Sequence, residues 1–376
     1  MLKVAVIGAS GFIGSRAVEI LHLRGLAEVR PVVRTYSSLA RVSRFNLDAR
    51  VADALDKTAM RQALDGCDVV VHSVLGDPPV ITGTVAPVYE AAQQSGVKRV
   101  VYLSSIAVHG LAPPPGTNES SPLSLTQPLP YSRAKIRAEQ RLLRLREKGS
   151  VEVVILRPGI VFGPRSRWTA ELADQLLQGT ACLVDDGQGI CNTTYVDNLV
   201  EAIFLAATVN NVDGQAFLIG DRETVTWADF YAPVAAAFGV ELNEIPRVDV
   251  PQGAQDLREL VERIRVSSPV QGVAPFVPAR LKRAIKAGVK GLIAPPAASE
   301  WSRPEPPAPA VSKEAALLQR CRYKVPCAKA ESMLGYQARV PFAEGCRRSI
   351  GWLAFAGYPV LPHSWLDSGR IEGCVP

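Results

Sequence analysis

The sequence predicts an α/β fold, a doubly wound parallel sheet followed by a smaller C-terminal lobe, on three observations. Short apolar runs alternate with longer helix-patterned stretches through the first part of the chain. Those runs lack a polar face, as strands covered on both sides do. A Gly8-x-x-Gly11-x-x-Gly14 turn sits directly between the first run and the first helix pattern.

Taken in order, Val4 to Ile7 is the first strand, and the glycines let the chain turn before a helix from Ile13 to Arg24. Val29 to Val33 is the second strand, and a short third one ends at Asp53. Thr58 to Leu64 reads as a helix, Val69 to Val71 as a strand, Val85 to Ser95 as a helix and Val97 to Leu103 as a strand. A long helix pattern from Ser132 to Lys148 stops at Gly149, and Val151 to Leu156 is the next strand. After Pro164 the rhythm changes to a helix pattern at Thr169 to Leu177, a turn at Asp185 to Gly189, and a helix opened by Tyr195-Val196-Asp197-Asn198. The expected division is a dinucleotide-binding domain over 1–165 and a substrate-binding lobe over 166–376. Within the lobe, 192–220 is expected to pack back on the first domain, and the proline-rich 295–312 to act as a flexible spacer.

Composition narrows the functional classes. The 376 residues are 47% hydrophobic and 21% charged, an ordinary globular balance with enough apolar material for a large core. A net charge of +6 without an aromatic-interleaved basic stripe argues against nucleic-acid binding. The 7 cysteines show no Cys-x-x-Cys, which argues against a disulfide framework or a zinc site, so no metal is expected. Met1-Leu2-Lys3 runs straight into the first strand, leaving no room for a signal peptide, so the expected location is cytoplasmic. The apolar run Ile350 to Leu361, broken by Gly357 and Pro359, is expected to be a buried terminal helix rather than a membrane span. Arg280 to Leu292 is read as an amphipathic helix packed on the lobe in preference to a membrane-surface segment. His72 and His109 lack a second ligand type at a metal spacing and are read as structural, and Asp185 and Asp186 as turn formers.

Three groups of residues carry chemistry. Gly8, Gly11 and Gly14 would bring backbone amides and a helix N-terminus up to a pyrophosphate. About 20 residues past that loop, where an acidic residue favours NAD and an arginine favours a 2′-phosphate, the chain has Arg34. With Ser10 in the loop and Thr35 and Ser37 following, this points to NADP(H), with NAD as the alternative. Asp53 is a candidate for the adenine amino group, set against a role as a local turn former. Ser104 and Ser105 end a strand at the carboxyl edge, where ligands of open α/β sheets gather. Tyr131 and Lys135 stand one helical turn apart, so an ammonium group can lie beside a phenol, favour its ionised form and make it a usable acid/base.

These residues resemble an extended short-chain dehydrogenase/reductase, of the kind that includes NAD-dependent epimerases and dehydratases, dihydroflavonol-type reductases and 3β-hydroxysteroid dehydrogenase-like enzymes. The likeness is carried by the glycine turn, Asp53, Leu103 to Gly110, Tyr131 with Lys135, Leu156 to Pro164, Tyr195 to Asn198, and Lys329 to Tyr336 with Gly351-Trp352-Leu353. It implies a Rossmann-type fold, Tyr131 as general acid/base, Lys135 lowering its pKa and holding the nicotinamide ribose, and Ser105 bonding the reacting oxygen. It extends the cofactor site to Ser10, Phe12, Ile13, Pro158 and Gly159. Homodimerisation through two helices of the cofactor domain is common in that group. The Thr-Asp-Glu of sugar dehydratases is replaced by Ser105-Ile106-Ala107, and the Asn of the epimerase Arg-x-x-Asn by Ile160. Val80 replaces a frequent Asn and His109 a usual Tyr. The expectation is therefore interconversion of a secondary alcohol and a ketone on a small molecule, with a nucleotide-sugar epimerase as the alternative and a cofactor-sensing binding protein as a third reading.

Overall fold

A computed structural model describes residues 1–248 and 311–362. Seven parallel strands form the central sheet in the order β10-β6-β5-β4-β1-β2-β3. They are β1 (Lys3–Ile7), β2 (Glu28–Val33), β3 (Arg50–Val51), β4 (Val69–His72), β5 (Arg99–Leu103), β6 (Glu152–Pro158) and β10 (Ala216–Ile219). The apolar runs explain the burial: Val4, Val6, Val69, Val71, Val101 and Val154 point into one core and Ala5, Ile7, Val70, Val100 and Val153 into another. The first core is covered by α1 (Phe12–Leu23) and α7 (Val196–Thr208), the second by α2 (Lys57–Leu64), α4 (Val85–Gln94) and α5 (Pro130–Lys148). Between β4 and α4 the chain makes a further short helix, α3 (Pro78–Gly83).

β1 lies between β2 and β4, so the winding direction reverses there and a crevice opens at the carboxyl ends of β1 and β4. Gly8 follows β1 into that crevice with φ +83°, and a Cβ on it would stand 2.9 Å from the Ser73 carbonyl oxygen. Only glycine combines that backbone with that approach.

The smaller lobe has its own core around Phe162, Tyr195, Trp227 and Phe230. It is built from α6 (Arg167–Leu177), α8 (Trp227–Ala237), the parallel pair β7 (Ile160–Phe162) with β9 (Thr193–Tyr195), and the pair β8 (Leu183–Val184) with β11 (Arg247–Val248). After residue 311 come α9 (Lys313–Gln319), α10 (Ala328–Leu334) and α11 (Phe342–Phe355). Helix α11 stops short of the expected Ile350 to Leu361: Ile350 and Leu353 are buried, but Phe355 is exposed and Gly357 with φ +90° turns the chain away. Among the described residues no helix is long and apolar enough to cross a membrane. The basic stretch Arg280 to Leu292 and nearly all of the expected spacer lie outside the described residues.

Candidate active site

Pro130 opens α5 at a position where the missing amide costs nothing, and the helix then sets Tyr131 and Lys135 on one face. Lys135 is wholly buried; its ammonium donates to the Leu103 carbonyl at 2.6 Å and lies 5.0 Å from the Tyr102 ring centre and 5.9 Å from that of Tyr131. Ser105 caps the 3-10 turn Ile106–His109, accepting from the Ala107 amide at 3.2 Å, and its hydroxyl is close enough to the Tyr131 phenol to draw the phenol's pKa downward. Of the two serines ending β5, Ser104 is buried without a partner and only Ser105 reaches Tyr131. Ser105, Tyr131 and Lys135 thus meet at the carboxyl edge of β5.

Electrostatically the site differs from the expected phenol acidified by its neighbouring amine. Burial pushes Tyr131 upward, and the hydrogen bond from Ser105 pulls the other way. Burial lowers Lys135 to about 8, partly offset by Glu139. The ammonium donates to the end of β5, and of the neighbouring side chains it is Ser105 that tempers the tyrosine.

The glycine turn fits a dinucleotide. A side chain at Gly14 would collide with the Gly8 carbonyl, and Gly11 caps α1 with no side-chain bond, leaving the first amides of that helix to a ligand. Phe12 and Ile13 are its first two residues, both half-buried. Arg34 is exposed just past β2 and, among the described residues, has no hydrogen-bond or ion-pair partner. Asp53 is exposed and accepts from the Leu55 amide at 2.9 Å, a local turn-forming role. Pro158 ends β6, and the Gly159 amide is held by the Ile219 carbonyl and Thr194 Oγ1. His72 is buried beside Tyr102, its pKa taken to about 3 by burial, and His109 is taken to about 4 by burial and the adjacent Arg157. No metal-holding cluster occurs among the described residues.

A model of the NAD dependent epimerase/dehydratase family matches residues 4–220, the whole of the sheet from β1 to β10. The chain belongs to that family. Members of the family similar to it carry out different reactions. A 3-diazoavenalumate denitrifying reductase from a Streptomyces species is 30% identical over 63% of this chain and 82% of its own. A UDP-glucose 4-epimerase from Vibrio cholerae is 27% identical over 65% of this chain and 78% of its own. The fold is shared with dTDP-glucose 4,6-dehydratase of Streptomyces venezuelae, solved with NAD bound: TM-score 0.67, 20% identity, 94% of this chain and 97% of that one. Family membership thus establishes an NAD(P)-type enzyme fold and leaves the reaction to the residues of this site.

Two features had no sequence signal. Arg41, at the end of the 3-10 turn Tyr36–Arg41, donates to the Ser10 carbonyl at 2.8 Å and lays a guanidinium along the glycine turn. The segment 318–325 runs beside 189–192: the Ile190 amide donates to the Cys321 carbonyl, Asn192 donates to the Tyr323 carbonyl at 3.0 Å, and the Val325 amide returns a bond to Asn192 at 2.9 Å. Both arrangements depend on contacts between distant parts of the chain, which local periodicity does not encode.

Proposed function

We propose that the chain is an NADP(H)-dependent oxidoreductase that interconverts a secondary alcohol and a ketone. The reading rests above all on Ser105, Tyr131 and Lys135 meeting at the carboxyl edge of β5, in a fold whose glycine turn leaves room for a dinucleotide. The cofactor, when bound, supplies or takes up the hydride. Tyr131 donates a proton to the nascent alkoxide in reduction and removes one from the alcohol in oxidation. Ser105 bonds the reacting oxygen and holds the phenol toward it. Lys135, one helical turn further along α5 and anchored on the Leu103 carbonyl, keeps a positive charge beside the tyrosine ring. Arg34, exposed beside the glycine turn, would pair with a 2′-phosphate, and Arg41 stands on the same loop.

Replacing Tyr131 with Phe tests the mechanism. NADPH binding, followed by fluorescence, should persist while turnover falls by roughly 10²-fold or more; near-normal turnover would rule the mechanism out. An epimerase would instead convert a nucleotide sugar with no net change in nicotinamide absorbance. Comparing Michaelis constants tests the cofactor: Arg34→Asp should erase a preference for NADPH, and an NADH preference in the unaltered enzyme would reject it.

A further inference from the structure

β4 and β5 run side by side, and the register pairs His72 with Tyr102, whose ring centres are 5.2 Å apart. Both side chains are buried, and Tyr102 belongs to the core that α5 covers. From α5 the Lys135 ammonium approaches this ring: its nitrogen stands 5.0 Å from the centre of Tyr102, against 5.9 Å for Tyr131, and donates to the carbonyl of the next residue, Leu103, at 2.6 Å. An ammonium has three donors, and a buried one must replace the water it has lost. A single carbonyl does not do that. Glu139 favours the charge from one turn further along α5, but its oxygens are bound by Arg157 at 2.7 and 3.1 Å. Tyr102 offers a different compensation. Its hydroxyl has no hydrogen-bond partner among the described residues, and burial, with Glu139 and Tyr131, pushes its phenol far above the ordinary range, so the group stays neutral. What meets the lysine is the ring, whose faces carry partial negative charge. His72 does not compete for it, because burial and then Lys135 hold its pKa at about 3 and leave it uncharged at neutral pH.

Resting on the oxidoreductase reading, we infer that Tyr102 is a positioning residue: the face of its ring, packed against His72, holds the Lys135 ammonium at the end of β5 and so keeps a positive charge beside Tyr131. Tyr102 acts through Lys135 and not on the reacting atoms. A desolvated cation on an aromatic face holds its proton more firmly by the equivalent of about one pH unit or more. A tyrosine that only filled its share of the core would give the lysine no such hold, and an aliphatic side chain could stand in for it.

The test needs no substrate. The full chain and its Lys135→Met variant are melted in denaturant across neutral and alkaline pH, and the difference between them starts to change where the folded lysine begins to lose its proton, at about pH 8. With Tyr102→Leu introduced into both members of the pair, the lost packing cancels and this onset should move down by about one pH unit or more. Tyr102→Phe, which keeps the ring and drops the hydroxyl, should leave the onset where it was. Where Tyr102→Leu does not fold, pentafluorophenylalanine at position 102 keeps the bulk of the ring and inverts the charge on its faces, and it should move the onset down as well. An onset that stays put with Tyr102→Leu or with the fluorinated ring overturns the inference, and so does one that moves as far with Tyr102→Phe. The inference and the reading beneath it fail separately. A moved onset beside near-normal turnover by Tyr131→Phe keeps the ring under Lys135 and removes the oxidoreductase mechanism. An unmoved onset removes the ring assignment alone.

Discussion

Lys135 carries a charge where water does not reach, and burial draws its pKa from 10.5 to about 8. Between those values the unfolded chain holds more protons than the folded one, so stability rises with pH across that window. Measured against Lys135→Met, the parent protein should gain on the order of 3 kcal/mol in denaturant melts from about pH 8 to about pH 10.5. A difference that does not change with pH would show that the ammonium is not enclosed. Ser105 acts on the opposite partner. Ser105→Ala removes the bond that tempers Tyr131 and leaves burial unopposed, so the phenol should titrate higher in difference ultraviolet spectra, with kcat down by roughly 10²-fold. The spacing of Tyr131 and Lys135 was legible in the sequence because helical periodicity is local. Which partner sets the tyrosine's acidity was not, because desolvation depends on everything packed around the group.

Along α5 the same four-residue stride continues from Lys135 to Glu139, which meets Arg157 of β6 at 2.7 Å with both side chains enclosed. Breaking such a pair leaves one buried charge uncompensated. Glu139→Ala should therefore cost about 3–5 kcal/mol in denaturant melts, and pairing Glu139→Leu with Arg157→Met should recover much of it. At the carboxyl end of β1, Gly14→Val should abolish NADPH binding by forcing α1 away from the Gly8 carbonyl, an effect visible by fluorescence titration. The strands β1, β2, β4, β5 and β6 could be read directly, since a largely apolar run marks a strand covered on both faces, even where β2 carries Arg30. β7 and β9 could not: each is three residues long, and pairing across distant sequence defines them. The same holds for β10, which reaches the sheet edge by pairing with β6 after α6, β9 and α7 have intervened.

In the molecule as a whole, Asp197 ties the halves together. Its carboxylate accepts from Arg16 of α1 at 2.6 and 2.8 Å and from Arg348 of α11 at 3.1 Å, while Asn198 bonds the buried Asp221 and the Val340 carbonyl. The sequence marked Tyr195 to Asn198 as a motif, but its cation partners lie far away in the chain. Trp227 lies in the lobe core, with Trp352 packed against it and Trp168 beside Trp227, so their fluorescence reports on the lobe while circular dichroism reports on the whole. The two denaturation curves should coincide in the parent protein. Asp197→Asn should pull them apart, with the fluorescence change coming first. β11 and α9 both pack on β8, so the backbone departs at Val248 and rejoins at 311 beside a single strand. Closing a longer excursion between ends already held together costs only a logarithm of its length. A few glycines and serines inserted between Val248 and residue 311 should therefore leave the melting of the coenzyme-binding sheet nearly where it was.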